Sequence, residues 1–345
     1  MLTFDEALHQ SNRATHRHVL LGNGFSRACK EDIFAYDALF DRADFASLSG
    51  NAKALFEALE TTNFEAVIAA LRKASKIVEI YVADFPELAR TLVADALALR
   101  EVLVSAIAGS HPDLPGDIPS EAYSACKQFL SNFKRVFTLN YDLLLYWAVM
   151  QRELYPDIDP NDGFRTPEYG EAGYVTWEIE NSYGQKIYYL HGALHMFDAG
   201  SELHKYTWVN TGIRLTEQIR NALEAEKYPM FVAEGTSEEK LDRIKHHAYL
   251  TKAFESFARI SGALFIFGHS LAENDEHILH LVEKGKISEL YIGVFGDPKS
   301  QANQRAIERA NRMAQYRLGL AARRRIPPPE LSVFFYDAES ARVWG

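Results

Sequence analysis

Asn140, Asp142 and His191 are the residues whose types and surroundings could do chemistry on a small molecule. Asn140 and Asp142 stand in Thr138-Leu139-Asn140-Tyr141-Asp142, directly after an apolar run, and His191 stands in Leu190-His191-Gly192. A carboxamide orients water or a hydroxyl without ionising. A neutral imidazole, with a reference pKa of about 6.5, accepts a proton near neutrality. Two glycine-bearing segments accompany them. In Gly22-Asn23-Gly24-Phe25-Ser26 the glycines allow positive φ and close approach of backbone N–H groups to an anion, and Ser26 adds a hydroxyl. Gly268-His269-Ser270-Leu271 is followed by Asn274-Asp275. An open α/β sheet binds ligands outside the carboxyl ends of its strands, so polar residues at four strand ends read as one nucleotide site.

Each segment also has a plainer role. A lone G-x-G can be a simple strand-to-helix turn, and Asp142 can equally cap the helix that follows. A histidine at the position of His191 is more often structural, although Gly192 beside it leaves room for a substrate. The loop lacks the third glycine of the dehydrogenase fingerprint and the G-K-[ST] of P-loop NTPases, which points away from hydride transfer and ATP hydrolysis. His191 and His195 stand four apart, and His277 and His280 three apart. Neither pair has an obvious third ligand in sequence, so no metal is expected.

The elements that must position these residues alternate. His18 to Leu21 reads as a buried strand, and so do Arg135 to Leu139, Ala263 to Phe267, Glu289 to Phe295 and Leu331 to Tyr336. Tyr174 to Glu180 and Lys186 to Leu190 read as strands joined by a turn, with a further strand at Pro229 to Ala233. Helical periodicity marks Ala52 to Leu59, Phe64 to Val82 and Glu87 to Ala108, followed by a Pro- and Gly-bearing loop from Gly109 to Pro119. It also marks Tyr141 to Gln151, Ile213 to Ala225, Glu273 to Lys284 and Lys299 to Leu320. Thr236-Ser237-Glu238-Glu239 fits a capping box opening a helix that runs into His246 to Ile260. Tyr155 to Gly173 reads as a loop. The pattern predicts an α/β fold with a Rossmann-like, mostly parallel sheet covered by helices on both faces. Residues 1–345 read as a single domain, with residues 36–133 as a helical insertion.

Taken in order, the four motif segments resemble the sirtuin-like NAD-binding fold, whose patterns are a G-A-G-x-S loop, a T-x-N-x-D segment, an H-G pair and a G-x-S segment. The likeness is nearest to the sirtuin-like domains of bacterial anti-phage defence proteins, many of which hydrolyse NAD. Their late motif reads G-[YH]-S-[LF] with a following acidic-Asp pattern, as Gly268 to Asp275 does here. The resemblance implies that Gly22, Asn23, Gly24 and Ser26 hold the NAD diphosphate. It places Asn140 and Asp142 at the nicotinamide ribose, His191 as the catalytic histidine, and Gly268, Ser270 and Asp275 in the cofactor site. It implies NAD glycohydrolysis, with a non-catalytic NAD or ADP-ribose sensor as the alternative, and a homo-oligomer or a partner defence protein as the assembly. Asn23 replaces the family's common Ala, and Leu139 the Gln of deacetylating sirtuins. No G-I-P-D-F-R segment follows Ser26, although Phe34 or Tyr36 is placed to cover the nicotinamide. With Cys29 and Cys126 as the only cysteines, a four-cysteine zinc ribbon cannot be built. These departures point away from protein deacetylation.

Composition narrows the rest. The chain of 345 residues has a net charge of -10, which disfavours non-specific nucleic-acid binding, and Arg323-Arg324-Arg325 reads as a solvated turn. No window approaches the roughly 18 apolar residues of a membrane span, and residues 1–17 lack an apolar signal core. A cytoplasmic protein is expected.

Overall fold

A computed structural model describes the chain except for residues 35–39, 42, 47, 50–51, 83, 113, 168–172, 201, 208–212, 226, 228 and 233–235. The expected aromatic cover at Tyr36, the first residues of the helical insertion, part of the loop before Gly173 and the end of the strand at Ala233 lie outside the described residues.

In chain order the strands are β1 (Arg17–Leu21), β2 (Arg135–Thr138), β3 (Phe164–Arg165), β4 (Tyr174–Trp177), β5 (Ile187–Tyr189) and β6 (Gly192–Asp198). They continue as β7 (Leu203–Tyr206), β8 (Pro229–Phe231), β9 (Ser261–Phe267), β10 (Lys286–Val294) and β11 (Ser332–Asp337). The helices are α1 (Phe4–Gln10), α2 (Gly24–Cys29), α3 (Glu31–Phe34), α4 (Ala52–Ala58), α5 (Phe64–Tyr81), α6 (Pro86–Ser110) and α7 (Ser120–Leu130). After them come α8 (Leu144–Met150), α9 (Leu215–Glu224), α10 (Ser237–His246), α11 (Ala248–Ala258), α12 (Glu276–Lys284) and α13 (Gln301–Ala321).

Six strands form one parallel sheet in the order β5-β2-β1-β9-β10-β11. Counted along the chain these strands run 3-2-1-4-5-6, the doubly wound Rossmann-like arrangement, and the order reverses between β1 and β9. Strand β1 is apolar from Val19 to Leu21 because both of its faces are covered there. Val19 and Leu21 point into one core with Phe4, Phe129 and Phe265, whereas Leu20 points into the other with Phe257, Ile266 and Ile278. Helices α1, α7 and α8 line the first face, and α11, α12 and α13 the second.

A second sheet, antiparallel and in the order β3-β4-β7-β6-β8, was not anticipated. Tyr174 to Trp177 and Ile187 to Tyr189 do not pair with each other. The first joins this sheet and the second is an edge of the parallel one. The missed strand β6 is buried at Gly192 through Phe197, so it carries no inside–outside alternation to reveal it. Smaller corrections concern boundaries. The helix expected from Tyr141 starts at Leu144, and α6 extends to Ser110 into the expected loop. The helix opened by Thr236 breaks at His247, whose extended backbone separates α10 from α11. The capping box itself forms as expected, with Thr236 accepting from Glu239 N–H and Glu239 from Thr236 N–H. Among the described residues no helix is long and apolar enough to cross a membrane.

Candidate functional site

The loops leaving β1 and β9 meet at the point where strand order reverses. Gly22 N–H donates to Phe267 O (2.9 Å) and Gly24 N–H to Gly268 O (2.8 Å). A Cβ on Gly24 would stand 2.5 Å from Gly268 Cα, and one on Gly268, at φ +69°, would stand 2.6 Å from Gly24 Cα. These glycines let two backbones touch. Phe25 and Ser26 N–H groups bond back to Gly22 O and Asn23 O, so the Asn23 N–H is the one loop donor from Gly22 to Ser26 with no partner among the described residues. The loop is thus less an amide cradle than the expected reading held.

Above this seam lies a cavity of about 1240 Å³, roomier than the ~300–1,000 Å³ of ordinary small-molecule pockets. Gly22, Asn23, Gly24, Asn140, Asp142, His191, Gly268, Ser270 and Asp275 all line it. Four strand-end segments are therefore brought together. Ser26 is the exception: it is fully buried and does not line the cavity. Its hydroxyl donates to Asp142 Oδ2 and accepts from Asn140 Nδ2 (2.8 Å). Its role is to tie the two motifs together, which corrects its expected place on the diphosphate.

Asn140 is oriented completely. Its Nδ2 donates to Gly22 O (3.0 Å) as well as to Ser26, and its backbone N–H to Thr138 Oγ1 (3.0 Å). Because carbonyl and hydroxyl acceptors hold the amide nitrogen, the orientation of the side chain is fixed by the network. Oδ1 is left as an acceptor with no partner among the described residues. Asp142 uses both oxygens internally, Oδ2 with Ser26 and Oδ1 with Leu144 N–H (2.8 Å), so it both lines the cavity and steadies the start of α8. Burial raises its pKa, while the Ser26 hydroxyl and the backbone N–H groups oppose that rise.

His191 is placed by the two sheets jointly. Leu190 N–H closes onto Thr138 O in the parallel sheet (2.9 Å), and Val232 N–H donates to His191 O (2.8 Å). Gly192, at φ +76°, does not make room for substrate as expected. A Cβ there would meet Met230 O at 2.1 Å, so the space belongs to β8. The His191 ring is buried, and its Nε2 lies 3.0 Å from His277 Nε2. Burial drives the His191 pKa well below 6.5; Asp275 pulls it upward, while Lys240, His277 and His269 push it down. His277 is pushed down to about 4, again mainly by burial. Both rings are neutral at ordinary pH.

Asp275 anchors this corner. Its Oδ1 accepts from Lys240 Nζ (3.1 Å) and its Oδ2 pairs with His269 Nε2 (2.9 Å). His269 Nδ1 accepts from Leu271 N–H, so its Nε2 carries the hydrogen and donates to the carboxylate. Burial alone would raise the Asp275 pKa, yet the His269 hydrogen bond and the Lys240 charge hold it well below the usual carboxylate range.

His191, Asp275 and His277 are close enough to be weighed as metal ligands. The ring geometry favours a hydrogen bond instead. The two rings are nearly parallel (19°), with centroids 5.2 Å apart against a 3.0 Å N–N contact. The nitrogens therefore lie close to the line between centroids, and their lone pairs oppose each other. An ion at ~2.1 Å from each nitrogen needs lone pairs that converge. Asp275 also has both oxygens engaged.

Phe34, one of the two aromatic residues expected as cover, lines the cavity beside Asn63 at the start of α5. The far end is formed by residues after β10 and β11, including Ser300, Asn303, Glu339 and Arg342. Sequence reasoning missed His269, His277, Lys240 and Ser237 as site residues. His269 and His277 flank the recognised Asn274-Asp275 pair, a signal that was available; Lys240 and Ser237 come from a helix whose capping box marks a helix start and not a ligand site. The Arg323 to Arg325 run is an exposed turn after α13.

Fold and site together define an α/β protein of the Rossmann-like class with a cavity of about 1240 Å³ at its switch point. The chain belongs to the DUF4917 family, a domain of unknown function that matches residues 19–344. No curated protein matches it.

Proposed function

We propose that this protein is an NAD glycohydrolase, releasing nicotinamide and ADP-ribose. One observation carries the reading: Asn140 lines the cavity with an oriented amide whose Oδ1 has no partner among the described residues, beside neutral His191, at the crevice where a Rossmann-like sheet takes its ligand. The bond between nicotinamide N1 and ribose C1′ breaks with its electron pair passing to the ring, which turns a cationic pyridinium into a neutral leaving group. No general acid is needed. Water adds to the oxocarbenium-like C1′, and its proton goes to His191. Asn140 Oδ1 accepts from the water or a ribose hydroxyl. The diphosphate lies against Gly22 to Gly24, where Asn23 N–H is an available donor. No metal is assigned to this chemistry. By its likeness to anti-phage proteins, the cellular role we assign is depletion of NAD during infection, in the cytoplasm.

Incubation with NAD followed by mass spectrometry tests the proposal. Wild type should release nicotinamide, whereas Asn140→Ala and His191→Ala should each lose ~10²–10⁴-fold in turnover while still binding ADP-ribose. Full cleavage by both variants would sink the assignment, and ADP-ribose binding without any release by wild type would make the protein a sensor.

A second observation favours self-association. The hairpin of α5 and α6 exposes Ile77, Ile80, Tyr81, Phe85 and Leu88 beside charges of both signs, among them Lys73, Glu79, Glu87 and Arg90. Charges of both signs around an apolar patch can pair with one another across a two-fold axis, so a second copy of the chain is its proposed occupant. Ile80→Glu with Phe85→Glu should lower the sedimenting mass; an unchanged monomeric wild type would refute this.

A further inference from the structure

Two neutral histidines that meet Nε2 to Nε2 can share only one hydrogen between those atoms, and its position decides what His191 can do. If His277 donates, the hydrogen of His191 must sit on Nδ1, and that nitrogen becomes a donor. If His191 donates, its Nδ1 carries a bare lone pair. Nδ1 has no partner among the described residues, so it is the ring atom left for a ligand.

We propose that His277 is a positioning residue that holds the hydrogen of His191 on Nε2, making Nδ1 the basic atom of the cavity. One contact favours this arrangement over its opposite, and a second accommodates it. Asp275 Oδ1 lies 4.0 Å from His191 Nε2, and its negative charge favours hydrogen on that nitrogen. Ser237 Oγ, already the acceptor for His277 N–H (2.6 Å), lies 3.3 Å from His277 Nδ1 and can accept there too, which leaves His277 Nε2 bare to receive from His191. Lys240 and His269 also face the pair. Both are tied to Asp275, so neither competes for the shared hydrogen.

The role of Nδ1 as a base rests on the glycohydrolase reading, but the tautomer does not. Nitrogen-15 NMR of the full chain with labelled histidine should show His191 protonated on Nε2 and bare on Nδ1. The opposite pattern in wild type would overturn the proposal whether or not NAD is cleaved; absent cleavage with the expected pattern would instead sink the function. In turnover, His277→Leu should lower kcat roughly ten- to a hundredfold with KM little changed, as when a partner that fixes a histidine tautomer is lost. His277→Gln, whose Oε1 can still accept from His191 Nε2, should restore most of that loss. Equal loss in folded Leu and Gln variants would argue against the positioning role. Stoichiometric binding of Zn²⁺ or Mn²⁺ that disappears in His277→Gln would also refute it, because the ion would use the same lone pairs.

Discussion

Asn140 matters for which end of its amide is left over. Both N–H bonds are spent on Gly22 O and Ser26 Oγ, so the acceptor end is what a ligand meets. Asn140→Asp should therefore be worse than Asn140→Ala for the fold, since it sets a carboxylate oxygen against Gly22 O. We expect a loss of about 1–3 kcal/mol, read from the denaturant midpoint. Ser26→Ala tests the hidden partner. It leaves Asp142 Oδ2 buried without its hydroxyl and should cost a similar ~1–3 kcal/mol, although Ser26 does not line the cavity. At this scale much of the site was legible. Polar residues ending apolar runs stand out, and Asn140, Asp142, His191 and Asp275 do reach one cavity. His277 was visible only as half of a spaced pair, because its partner His191 lies 86 residues away in the chain.

Between the elements, the seam of β1 and β9 tolerates no side chain. Gly24→Ala places a methyl 2.5 Å from Gly268 Cα, a backbone atom that cannot rotate away. The two loops must separate, and the expected penalty is about 1–3 kcal/mol with weakened ADP-ribose binding, measured by thermal shift with and without ligand. Gly22 and Gly24 were recognisable as special, but their reason was not. The sequence suggested close approach to an anion, whereas the nearest neighbour is another loop. Capping signals such as Thr236 to Glu239 were readable because they are local. The antiparallel sheet was not, since β6 and β7 owe their pairing to tertiary contact and β6 lacks alternation.

For the whole molecule, five histidines among the described residues are folded into the interior: His18, His111, His191, His195 and His277. Burial lowers the pKa values of His18, His191, His195 and His277, that of His18 to about 3 and that of His277 to about 4. The unfolded chain binds protons first, at about 6.5, so acidification removes stability from that pH downward. Each of these four shifted histidines contributes up to ~1.4 kcal/mol per pH unit across its window. Asp142, raised by burial, opposes part of this at the acid end. The melting temperature should fall steadily from about pH 6.5 to about pH 5; a flat profile would contradict the burial of these rings. The class of fold was legible from alternating strands and helices. Strand order was not, because β1 pairs with β9 across more than half the chain.

The bonds from Gly22 to Phe267 and from Gly24 to Gly268 stitch the first half of the parallel sheet to the second. Any molecule seated across them becomes a third stitch, so occupancy and opening of the molecule along this line are linked. Amide exchange at Gly22 and Gly24 should slow when ADP-ribose is added, while amides pairing β10 with β11 should exchange at their former rate.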